Sequence, residues 1–88
     1  MTPPTGGTIP VRILLFARYA ELLGRDHLDV ALAVPASVAD AVAHVRALPG
    51  GEVLPARPLC AVNHAHAPLE AVLHAGDELA LLPPLAGG

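Results

Sequence analysis

Two short apolar stretches, one near each end of the chain, limit the possible folds more than any other feature. They are Ile9 to Ala17 and Glu78 to Leu82. In the first, Val11, Ile13 and Leu15 point one way, and Arg12, Leu14 and Phe16 point the other. The second is apolar on both alternating faces as well. This pattern predicts central strands covered on both sides, because an edge or half-exposed strand alternates with polar residues. Two such strands at opposite ends of 88 residues are most simply neighbours in one mixed sheet. A chain this short forms one domain, since dividing it would leave pieces too small to hold a core.

The intervening sequence supplies a further strand, one clear helix and turns. His27 to Val34 alternates, with Leu28, Val30, Leu32 and Val34 inward and His27 and Asp29 outward, as in a half-buried strand ended by Pro35. Ala17 to Leu23 fits a short helix stopped by Gly24 at a left-handed cap. Ser37 is placed to cap a second helix, with Asp40 at the capping-box position. Val38, Ala41, Val42, Val45 and Leu48 then form one apolar stripe, with Pro49-Gly50-Gly51 as the stop. Leu59 to Asn63 reads as a short strand, residues 64–76 as irregular with room for a short strand and a turn, and Gly76-Asp77 as a turn. Strands flanking one main helix packed on one face of a mixed sheet predict an α+β roll of the β-grasp kind. Residues 1–8, rich in Thr, Pro and Gly, are expected to be a disordered leader, 9–82 the domain, and 83–88 an extended tail.

Composition excludes several functions. Aromatic residues are 2% of the chain, and eight acidic residues against five basic ones leave a net charge of −3. No basic, aromatic-interleaved patch exists for nucleic acid to bind. All five basic residues are Arg, so the chain has no side-chain amine on which copies of itself could be strung. A lone Cys60, no signal-peptide pattern and no apolar run near the ~20 residues of a membrane span point to a soluble cytoplasmic protein.

The candidate chemistry lies in Pro83-Pro84-Leu85-Ala86-Gly87-Gly88. Pro83 and Pro84 lack N–H groups, so they stop the sheet ladder and favour an extended backbone. Six extended residues reach roughly 18–20 Å. Leu85 and Ala86 are apolar without a core to enter, and Gly87 and Gly88 can pass through a channel that admits no side chain. The tail then delivers one functional group, the α-carboxylate of Gly88. A carboxylate becomes reactive once an ATP-dependent partner adenylates it, and a sulfur donor could convert it into a thiocarboxylate. None of these steps needs a catalytic side chain in this chain, which binds no cofactor itself.

Val11-Arg12-Ile13-Leu14-Leu15-Phe16-Ala17, Glu21-Leu22-Leu23-Gly24, Ala61-Val62-Asn63, Leu73, Gly76-Asp77-Glu78-Leu79 and the Pro83-Pro84 to Gly87-Gly88 ending together resemble the molybdopterin synthase small subunit family. The resemblance runs from Ile9 to the end. It implies activation of Gly88 by an adenylyltransferase related to ubiquitin activators, with ATP used by that partner. A sulfur donor protein would then supply the thiocarboxylate sulfur, which passes to a pterin precursor within a complex with a larger catalytic subunit, a heterotetramer in the family. It also implies that Pro83, Pro84, Leu85, Ala86 and Gly87, with Leu82 and Phe16, contact that subunit. Leu81-Leu82 stand where members often carry an aromatic pair, and Ala20 where a basic residue is common. Sulfur carriers for thiamine, tRNA thiolation and cysteine synthesis share the Gly-Gly ending, and a β-grasp binding module with an unactivated tail is the reading from another class.

Other residues invite weaker readings. His64 and His66 could share a metal, but no third and fourth ligand stands at convincing spacing, so no metal is expected. Cys60, in an apolar strand without a basic neighbour, reads as a core residue rather than a sulfur relay.

Overall fold

The computed structural model describes residues 7–84. The expectations placed on residues 1–6 and on Leu85, Ala86, Gly87 and Gly88 lie outside the described residues. The elements in chain order are β1 (Thr8–Leu15), α1 (Ala17–Leu23), β2 (His27–Ala33), β3 (Ala36–Ser37), α2 (Val38–Arg46), a 3-10 turn (Gly51–Val53), β4 (Leu59–Val62), β5 (Ala65–His66), β6 (Val72–Leu73) and β7 (Glu78–Leu82).

The two apolar end strands are neighbours. The five-stranded sheet has the order β2-β1-β7-β4-β5, and β1 runs parallel to β7 with Ile13 opposite Leu79 and Leu15 opposite Leu81. β2 is antiparallel to β1, and β4 is antiparallel to β7. β3 and β6 form a separate two-stranded ribbon. This is the α+β, ubiquitin-like β-grasp arrangement expected from the strand and helix order.

The core lies on one face of the sheet. Ile13, Leu79 and Leu81 are fully enclosed, joined by Val11, Leu15, Leu28, Val30 and Leu32. Helix α2 covers them with Val38, Ala41, Val42 and Val45, all but one of them at 0% exposure. Burying each large aliphatic side chain contributes about 1.5–3 kcal/mol, so this aliphatic layer is the main source of stability. The start of α2 follows its sequence signal. Ser37 Oγ accepts the Asp40 N–H at 3.2 Å while Asp40 Oδ2 accepts the Ser37 N–H at 2.8 Å, a reciprocal capping box. Helix α1 ends at Gly24 in the left-handed conformation, φ 73°, with its N–H donating to Ala20 O.

Three expectations are corrected. Strand β1 begins at Thr8, opposite Ala33, so residue 8 belongs to the sheet rather than to a leader. Helix α2 ends at Arg46, ahead of the Pro-Gly-Gly stop, where the last turn tightens and the Leu48 N–H donates to the Val45 carbonyl. The central strands are covered on one face, not two. On the second face Arg12, Asp29 and Ala31 are exposed, and Leu14, Ala61, Ala80 and Leu82 are half-buried. Apolar residues at both phases of a strand signalled burial, but half of them lie on an open surface.

Candidate functional site at the root of the tail

The tail leaves the middle of the sheet. Strand β7 is laced between β1 and β4, and Leu82, its last residue, lies opposite Leu59. Pro83 follows, and a proline there ends the ladder because it has no N–H to donate. Leu82 and Pro83 are half-buried and Pro84 is exposed, so the chain moves outward over these residues.

Two apolar surfaces meet at this point. One is the open sheet face, with Leu14 opposite Ala80, Ala61 opposite Ala80, and Leu59 opposite Leu82. Leu59 is 50% exposed and Phe16 43%, a costly arrangement for an isolated protein and a common one where a partner docks. Phe16 is the extended N-cap of α1, its carbonyl accepting the Tyr19 N–H at 3.0 Å, which holds its side chain off the core. The second surface is a groove of about 600 Å³ lined by Ala17, Arg18, Tyr19, Val53, Pro55, Pro83 and Pro84. Of the expected contact residues, the structure brings Phe16, Leu82, Pro83 and Pro84 to one end of the sheet. Leu14, Leu59, Ala61 and Ala80 were not singled out in the sequence, although the in-out phase of Leu14 and Phe16 was the signal that could have found them.

Charge at the opposite end of the sheet is organised by hydrogen bonds. The Asp77 carboxylate accepts the His74 N–H at 2.7 Å and the Asn63 side-chain amide at 2.9 Å, and these bonds hold it below the usual carboxylate range. On the open face Arg12 Nε donates to Asp29 at 2.9 Å. This bond lowers the carboxyl and raises the guanidinium.

The other candidates separate from the site. Cys60 is 3% exposed, its Sγ 3.4 Å from Pro58 O, and burial pushes the thiol up, which removes the thiolate a relay would use. His64 lies in the β4–β5 turn and His66 in β5. Among the described residues no three His, Cys, Asp or Glu side chains gather as a metal site. No described helix is long and apolar enough to cross a membrane.

A β-grasp domain that launches its C-terminal segment from a central strand, beside an open apolar face, defines the class of small ubiquitin-like carrier proteins. The chain belongs to the ThiS family, whose pattern matches residues 13–88, and is a ThiS-type sulfur carrier. It is 35% identical to SAMP1 from Haloferax volcanii over 90% of this chain and 99% of that one, with a TM-score of 0.77. The fold is shared with a putative molybdopterin converting factor subunit 1 from Pyrococcus furiosus. That match has 21% identity, 88% and 99% coverage and a TM-score of 0.75. It is also shared with the complex of subunits 1 and 2 of molybdopterin-converting factor from Helicobacter pylori, at 20% identity, 91% and 100% coverage and a TM-score of 0.66.

Proposed function

We propose that the protein is the small, sulfur-donating subunit of a molybdopterin synthase, non-catalytic on its own. A partner adenylyltransferase transfers AMP from ATP to the Gly88 carboxylate and releases pyrophosphate. The terminal sulfur of a donor protein's persulfide attacks the acyl carbon and AMP departs with the C–O electron pair. A second thiol of the donor then cleaves the acyl disulfide, leaving the thiocarboxylate on Gly88 and a disulfide on the donor. The larger subunit then presents the pterin precursor to that sulfur. The adenylate matters because free carboxylate has no acceptable leaving group, whereas AMP leaves readily with the C–O electron pair.

The observation that supports this reading best is the meeting of tail root and open apolar face at Leu82, Leu59 and Phe16. A carrier must be held by its body while its terminus enters another protein, and this surface offers the hold. The H. pylori complex of subunits 1 and 2 supports a larger subunit as the partner.

Incubation with the activating enzyme, ATP and a sulfur source should add about 16 Da to the intact chain, oxygen replaced by sulfur, as covalent activation of the terminus requires. Absence of that gain with a competent enzyme would leave a binding module. Deleting Gly88 should abolish sulfur transfer with an unchanged melting temperature. Conversion of the pterin precursor on adding the large subunit assigns the acceptor. Thiocarboxylate formation without that conversion would assign the chain to thiamine, tRNA or cysteine sulfur delivery instead.

A further inference from the structure

We propose that this protein withholds every side chain that could durably trap its own activated terminus, so that the acyl group passes to nucleophiles of other proteins and no second copy is added to the side chains of the first. The proposal rests on the carrier reading only for the identity of the activated group, Gly88.

An acyl adenylate or thioester is attacked at its carbonyl carbon by amines, thiolates and, less readily, hydroxyls. The side-chain amine is missing altogether, since the five basic residues are Arg12, Arg18, Arg25, Arg46 and Arg57. A guanidinium stays protonated and has no lone pair to offer. The one thiol, Cys60, faces the core from β4 at 3% exposure, and the one tyrosine, Tyr19, is 4% exposed. Burial raises both groups away from their nucleophilic, ionised forms. The one serine, Ser37, is held in the capping box, its Oγ donating to Asp40 Oδ2 at 3.1 Å while it accepts the Asp40 N–H.

Thr8 is the remaining hydroxyl among the described residues, a neutral alcohol on the exposed end of β1. The exposed histidines can attack an acyl group, but an acyl-imidazole is itself activated and returns the acid in water. Among the described residues the surface is therefore nearly inert toward an activated acyl terminus, and the two further hydroxyls of the sequence, Thr2 and Thr5, are neutral alcohols as well. When an outside nucleophile attacks, its nitrogen or sulfur bonds to the Gly88 carbonyl carbon. The C–O bond to AMP breaks, AMP leaves with the electron pair, and the surplus proton passes to solvent.

The test installs activation chemically. The full chain, with its α-amine acetylated so that only side chains report, is released from an intein as the Gly88 thioester of 2-mercaptoethanesulfonate. It is then held concentrated at mildly alkaline pH. Intact mass should show only thioester and hydrolysed acid, and no dimer that survives hydroxylamine. A lysine-containing peptide added to the same sample should be acylated. Arg57→Lys and Arg18→Lys, both at exposed positions, should each yield a hydroxylamine-resistant dimer with the mass of two chains less one thiol. Such a dimer from the unaltered chain would overturn the proposal. So would lysine variants that form none while the peptide is acylated. Neither result depends on whether a partner adenylates Gly88, which the sulfur mass gain tests separately.

Discussion

Asp77 joins two turns that are far apart in sequence. Its Oδ1 accepts from Asn63 Nδ2, its Oδ2 accepts from the His74 N–H, and Asn63 Oδ1 in turn accepts the Glu78 N–H at 3.0 Å. Asp77→Ala removes two of these bonds and should cost about 1–2 kcal/mol at neutral pH, measured as a shift in the urea midpoint. The folded state holds this carboxyl below its ordinary value, chiefly through the His74 N–H. Its contribution is therefore complete above the unfolded value, near 3.9, and is lost as pH falls through the lower folded value. The gap between parent and variant should narrow in that acidic window and not elsewhere. In the neighbouring turn Asn63 and His64 both have positive φ, 50° and 74°. Asn tolerates that conformation, whereas His at the second position is strained where Gly is normal. His64→Gly should raise stability by roughly 0.5–1 kcal/mol in thermal melts, since the imidazole is exposed and its 3.8 Å approach to the Glu78 carboxylate is a solvent-screened surface contact. Asn63 and Gly76-Asp77 were both legible as turn residues. Their link was not, because it closes over 14 positions with no local pattern to mark it.

At the scale of elements, what was legible had a local chemical cause. The Ser37–Asp40 capping box, the Gly24 stop and the period of β2 all appear where the residues place them. The ribbon of β3 and β6 did not stand out, because two residues per strand are too few to establish a period. The end of α2 was misplaced for a different reason. Pro49-Gly50-Gly51 does break the helix, and the turn ahead of it tightens, with the Leu48 N–H on Val45 O and the Gly51 N–H on Leu48 O. A Cβ on Gly51 would stand 1.9 Å from the Val45 carbonyl oxygen. Backbone cannot yield as a side-chain tip can, so Gly51→Ala should destabilise by about 3 kcal/mol or more, read as a fall in the denaturation midpoint. The same substitution at Gly7, which meets nothing within 4 Å, should be nearly silent.

At the scale of the whole molecule, the sheet was legible and its open face was not. Leu14 and Ala80 read as buried because apolar residues usually are, and a sequence does not say whether a second layer comes from the same chain. Only Leu82 and Phe16 were marked as contacts, through the family resemblance. Leu59→Asp tests the distinction. Half-exposed in the free protein, it should change stability by no more than about 0.5 kcal/mol. It should weaken the proposed complex with a large subunit by tenfold or more, about 1.4 kcal/mol, in a titration of the two purified proteins.

The place of β7 between a parallel and an antiparallel neighbour has a mechanical consequence. A protein that grips the end of the chain and draws it inward loads the two ladders along their length, so their hydrogen bonds share the force and none is unzipped alone. An edge strand in the same position would peel. Tension at the terminus is thus borne by the most deeply buried part of the domain, and the body follows its tail to the partner intact.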